Sequence, residues 1–145
     1  MEIIKPQITI SITKGEGFGR PLLEFTMTGK PVIASNWSGH RDFLPLDKSV
    51  MVGGALTDVH ESAVDKFILK ESKWFTANYD EVKSVLELVK EQYDTFLVKS
   101  KELKDINKSK FSLDAMTDEF SKIISPYIQK PEKVAMNLPK LTKLK

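Results

Sequence analysis

Cysteine is absent from all 145 residues, so neither a disulfide framework nor a thiolate metal site is open to this chain. Histidine is almost as scarce, with only His40 and His60, and no Asp-x-Asp pair occurs; the expectation is a site without a metal or a cofactor. Charge of one sign is also lacking. With 22 basic and 20 acidic side chains the formal net charge is +2, so bulk charge alone does not ask for nucleic acid or an anionic surface as partner. Nowhere does an apolar run approach the roughly eighteen residues of a membrane span, and the first residues lack a signal-peptide pattern. The expected product is soluble and cytoplasmic, which leaves a membrane-linked acceptor open. No internal repeat interrupts this picture. Hydrophobic residues at 41% and charged residues at 29% are ordinary values, and the length suffices for one small domain with a core.

What the chain does have is concentrated between Ile8 and Pro31. Ile8, Ile10 and Ile12 alternate with Thr9 and Ser11, the pattern of a half-buried strand. Gly15, Gly17 and Gly19 follow, in a loop whose backbone is free to take positive φ and to let a ligand come close. Pro21 suits the first turn of a helix, where its missing N–H has no partner to lose. Leu22, Leu23, Phe25 and Met27 give that helix an apolar side, and Gly29 supplies a left-handed stop. Pro31 to Ser35 reads as a second buried strand, parallel to the first because a helix separates them. His40 to Leu44 reads as a short helix stopped by Pro45, and Ser49 to Val52 as a third strand ended by Gly53-Gly54. A β-α-β-α-β unit of this kind binds ligands at the carboxyl ends of its strands, where Glu16 and Gly39 fall.

Beyond Ala55 the pattern weakens. Phe67, Ile68, Leu69, Trp74 and Phe75 suggest short apolar pieces packed on the sheet. Asn78 and Glu81 form a capping-box pair before a helix whose buried stripe is Val82, Val85, Leu86, Val89, Tyr93 and Phe96. Lys104 to Lys110 reads as a polar bend. Ser112 caps a last helix bearing Leu113, Met116, Phe120, Ile123 and Ile124, which Pro126 ends or kinks. The division expected is a domain over 1–130 and a Lys-rich tail over 131–145, with 1–7 as a lead-in.

Glu16 and Glu24 stand seven residues apart, with Gly-Phe-Gly-x-Pro-Leu-Leu between them and Gly-Lys-Pro-Val-Ile-Ala-Ser after them. This resembles the E-x7-E signature of retaining glycosyltransferases with the GT-B fold, and Asn36 to Leu44 is similar to the next loop of that group. The resemblance spans Ile8 to Ser125. It implies an α/β fold, a Rossmann-like half of a GT-B C-terminal domain, with a short parallel sheet of about three strands flanked by helices and with long C-terminal helices. It also implies a UDP-, GDP- or ADP-sugar as donor, and transfer with retention.

For the site, the resemblance places Glu16 beside the transferred sugar as the catalytic carboxylate and gives Glu24 the ribose hydroxyls. Read without the family, Glu24 is a helix-surface carboxylate favoured by the dipole, and Glu16 a solvated loop residue. The backbone of Gly17, Phe18 and Gly19 would meet sugar hydroxyls, that of Leu22 and Leu23 the diphosphate, and Gly39, in the neighbouring loop, would also be donor-binding. Arg20 departs from the family pattern, where an aliphatic residue is usual; a phosphate or acceptor contact and a bare surface position stand equal. For His40 a hydrogen-bonding role at a helix start is expected, and for Trp37 and Trp74 packing. Such an enzyme carries its acceptor domain and its diphosphate-clamping Arg and Lys upstream, and a three-stranded sheet would leave an open edge and an uncovered apolar face. A complementing N-terminal half or a second copy of the chain is therefore expected. Three classes stay open: an enzyme half, a non-catalytic nucleotide-sugar-binding module, and a structural protein that has kept the fold alone.

Overall fold

Three short strands lie side by side in the order β1 (Thr9–Ser11), β2 (Val32–Ser35), β3 (Val50–Val52), all parallel, in a computed structural model that describes residues 7–128. The register sets Ile10 against Ile33 and Ile33 against Val50, so these three residues share one face. Thr9 and Ser11 fall on the opposite face, beside Val32 and Ala34. The strand expected there is present, one residue shorter at each end, but its burial departs from the alternation: Ile10 is exposed and Thr9 and Ser11 are half-buried.

Between β1 and β2 runs α1 (Arg20–Thr26). It starts where Gly19 takes φ +84° and stops before Gly29 at φ +67°, the left-handed stop expected there. A 3-10 turn over Gly39–Asp42 replaces the short helix expected at His40 to Leu44. After Gly53 the chain does not stop. It continues as β4 (Gly54–Asp58), which pairs antiparallel with β5 (Lys73–Ala77) in a second, two-stranded sheet. Every residue of β4 is exposed, so no buried alternation marked it in the sequence. Phe75 and Ala77 pack inward, but Phe67, Ile68 and Leu69, expected to pack on the sheet, are exposed.

Next comes α2 (Tyr79–Glu91), whose Asn78 side chain accepts from the amides of Asp80 and Glu81. Glu81 does not reach back to Asn78; its Oε2 accepts from the Gly53 amide at 2.9 Å and ties the helix to the β3–β4 junction. A break at Gln92 leads into α3 (Tyr93–Lys110), which continues straight through the expected bend at Lys104 to Lys110. The reason is Asn107. Buried on α3 with Ser100 and Leu103, it donates to Thr26 Oγ1 and to the Phe43 carbonyl.

Both faces of the parallel sheet are covered, which corrects the expectation of a bare apolar face. On one side Val32 and Ala34 meet Leu22, Phe43, Leu44 and Leu103; on the other Ile33 and Val52 meet Phe75, Ala77 and Val89. Burial of this kind is the main stabilising term. Among the described residues the outer edge of β1 is open, with β2 as its one sheet neighbour. This first compact unit closes at Ser112. A second unit begins with α4 (Leu113–Ile124), followed by a 3-10 turn over Ser125–Tyr127 that contains Pro126. Residues 1–6 of the lead-in and the tail expected over 131–145 lie outside the described residues. Among the described residues no helix is long and apolar enough to cross a membrane.

Candidate functional site

At the carboxyl ends of β1 and β2 two loops are fastened to each other through the backbone of Glu16. Its amide donates to Ser38 Oγ at 2.9 Å, and its carbonyl accepts from the Ser38 hydroxyl and, at 3.0 Å, from the Gly39 amide. Ser38 holds φ +83° to do this, a backbone position that a non-glycine residue adopts only at some cost. Gly39 must be glycine: a Cβ there would lie 1.9 Å from the Gly17 carbonyl oxygen. Ser38 was not singled out from the sequence. A serine beside a glycine in a turn is too common to mark it.

With its backbone pinned on both sides, Glu16 lines a cavity of about 250 Å³. The cavity lies between β1, with Thr9, Ile10 and Ser11, and α1, with Pro21, Leu22 and Phe25; Gly19 completes its lining. It therefore borders the open edge of the sheet. Glu24 does not line it. That carboxylate, with its side chain 69% exposed, pairs with Arg20 one turn earlier at 3.5 Å, an exposed ion pair of the kind that adds little stability. The two glutamates of the signature are not brought to one cavity, and the partner of Arg20 is Glu24.

The other expected contacts separate as well. Phe18 packs its ring against Phe43 and Phe111, with centroids 5.2 and 5.8 Å away. The amides of Leu22 and Leu23, expected to face a diphosphate, both donate to the Gly19 carbonyl at 2.9 and 3.1 Å. Of the three loop glycines only Gly19 has a positive φ, and a Cβ on it would press on His40 and Glu16. Gly15 and Gly17 have ordinary φ and open space around a built Cβ, so nothing within the fold requires glycine there.

His40 is fully buried beneath this loop. Its Nε2 lies 2.6 Å from the Ser35 carbonyl, which can only accept, so Nε2 donates this bond. Nδ1 has no partner, and neither do the buried Thr13 Oγ1 and Asn36 Oδ1. All three belong to segments leaving β1 or β2 at their carboxyl ends. Unpaired buried polar atoms are uncommon, and they concentrate where chemistry or a bound group is served. Two aromatic residues flank the same end: Trp37 stacks on Phe75 with centroids 6.0 Å apart, and Trp74 lies under the Lys14 ammonium at 4.1 Å. Among the described residues no group of three or more His, Asp and Glu side chains could hold a metal ion. No protein-family model, curated protein or solved structure matches the chain.

Proposed function

We propose that the chain is the donor-binding portion of a retaining glycosyltransferase, taking a nucleotide-sugar at the carboxyl ends of β1 and β2. The observation that carries the reading is the clasp of Glu16 by Ser38 and Gly39, which fixes the backbone of a cavity-lining glutamate. Catalytic groups act best from such pre-set positions. The unpaired Thr13, Asn36 and His40 atoms at the same end support a polar ligand. Open space at Gly17 supports close approach of a ligand to the backbone. In this reading Glu16 stands beside the transferred sugar, and its charge stabilises positive charge developing at the reacting carbon. Glu24 leaves its pair with Arg20 to accept from the ribose diol.

A second reading is a non-catalytic nucleotide-sugar-binding module, in which Glu16 does no chemistry. Glu24 pairs with Arg20 and does not line the cavity, and 250 Å³ is small for a whole nucleotide-sugar, so the chain by itself does not present a site complete for transfer. Under the first reading the remaining walls come from another chain, a second copy or a complementing half, added along the open edge of β1.

The test is calorimetric titration of the chain with UDP, GDP and ADP and with their sugar conjugates. Glu24→Ala and Gly17→Ala serve as controls. Binding of one nucleotide, weakened about tenfold by either substitution, supports a donor site and names its base, since about 1.4 kcal/mol separates each decade of affinity. Absence of binding at millimolar concentrations of all of them overturns the reading for the chain by itself. Binding of a nucleotide-sugar without any transfer would leave the second reading standing, and transfer that survives Glu16→Gln would remove Glu16 as the catalytic carboxylate.

A further inference from the structure

The loop joining β4 to β5 is built to show apolar side chains to its surroundings. Phe67 is 78% exposed, Leu69 52% and Ile68 38%, three consecutive large apolar residues at the tip of one hairpin. An accidental loop does not hold this shape. Asp65 Oδ1 accepts from the amides of Phe67 and Ile68 at 2.7 and 2.8 Å, the Asp65 amide donates to the Ile68 carbonyl, and the Ser72 amide donates to the Leu69 carbonyl. The bond from Ile68 and then that from Phe67 hold the Asp65 carboxyl below the usual aspartate range, so the turn persists in mild acid.

We infer that this tip docks on an anionic lipid surface, with Phe67, Ile68 and Leu69 entering the interface and Lys66 and Lys70 meeting the headgroups. Two features favour lipid over water or a protein groove. First, much of the tip backbone is already hydrogen-bonded within the turn, so burial in an apolar medium leaves those groups satisfied. Second, the triplet is bracketed by lysines. The Lys66 ammonium lies 4.8 Å from the centre of the Phe67 ring, and its long stem lets the charge stay at headgroup level while the ring goes deeper. Of the acidic groups nearby, Asp65 is turned to the backbone amides and Asp58 is paired with Lys73 at 3.2 Å. Glu61 and Glu71 lie outside the bracketed triplet.

The docking has a geometric consequence. β4 leaves the carboxyl end of β3, and the Phe75 amide on β5 donates to the Lys14 carbonyl just beyond β1. The hairpin therefore flanks the end of the sheet that holds Glu16, and lipid contact at its tip brings that end toward the bilayer. The inference stands on the loop alone, independent of which ligand the Glu16 cavity takes.

The experiment is flotation of the full chain with vesicles of phosphatidylglycerol and phosphatidylcholine in equal parts, and with vesicles of phosphatidylcholine alone. Partition into the mixed vesicles is expected to exceed that into neutral ones several-fold and to fall as salt rises through the screening range. A Phe67→Ser/Leu69→Ser double variant is expected to lose about tenfold or more in partition, given the apolar area it withdraws. A Lys66→Glu/Lys70→Glu variant is expected to lose the preference for anionic vesicles. Circular dichroism checks that both variants stay folded, which these exposed positions allow. No partition of the unaltered chain at low salt, or equal partition of chain and variants, overturns the inference. So does a change of oligomeric state in the Phe67→Ser/Leu69→Ser variant without vesicle binding, which would assign the tip to a second copy of the chain.

Discussion

A single oxygen decides what position 39 can be. The Gly17 carbonyl lies where the first side-chain carbon of any other residue at 39 would go, 1.9 Å from the built Cβ. Gly39→Ala must therefore part the two loops and break the bonds that Ser38 and Gly39 make to Glu16. Overpacking of this sort typically costs about 1–3 kcal/mol, and the lost hydrogen bonds add to it. Gly17→Ala meets open space at an ordinary φ and is expected to shift stability by less than about 1 kcal/mol. Urea unfolding of the two variants checks the contrast. Equal loss in both would mean that the loops are not fastened as described. The contrast also separates roles: glycine at 39 is required by its neighbours in the fold, whereas at 17 no neighbour requires it. The sequence showed Gly15, Gly17 and Gly19 as alike. Only the backbone angles and the neighbours within reach of a Cβ tell them apart.

At the scale of elements, α2 is fixed at its start by a contact that local pattern misassigns. Asn78 and Glu81 have the spacing of a reciprocal cap, and half of it forms, since Asn78 does accept from the first amides. Glu81 instead takes the Gly53 amide, because the chain turns from β3 into β4 there and that donor lacks another partner in the turn. Glu81→Ala is expected to cost about 1.5–3 kcal/mol, the worth of a charge-assisted bond, and Glu81→Gln roughly half of that because an acceptor remains. Thermal unfolding of both measures it. A Glu81→Ala protein as stable as the parent would mean that Glu81 carries no weight in the junction.

The same scale shows what was legible. The positions of β1, β2, β3 and α1 followed from short apolar runs, glycine stops and Pro21, all of which act within a few residues. The hairpin β4–β5 did not, because its first strand buries nothing and its pairing is non-local. The run Lys104 to Lys110 looked like a bend for a related reason: its fate rests on Asn107, whose partners, Thr26 and Phe43, are distant in sequence. The site divides in the same way. Glu16 and Gly39 were legible from the signature, but the Ser38 clasp, the buried His40 and the Arg20–Glu24 pair are contacts across loops or along a helix surface.

For the whole molecule the question is how much of it the core requires. Both apolar clusters draw their buried residues from positions before Ser112, where the first compact unit ends. In the second unit Leu113, Met116, Phe120 and Ile123 are exposed, and none of its described residues is buried. A chain ending at Ser112 keeps the parallel sheet, the hairpin and α1 to α3 with their cores intact. It is therefore expected to unfold cooperatively with a melting temperature within about 5 °C of the full chain, the shift produced by roughly 1 kcal/mol in a domain of this size. Calorimetry of the two forms decides it. A fall beyond about 10 °C, or loss of a cooperative transition, would mean that residues from Leu113 onward supply stability that the buried core does not. If the shorter form holds, the exposed side chains of α4 are free to be altered without endangering the fold. The clasp at Glu16 and the lipid-facing hairpin can then be measured on the first unit alone.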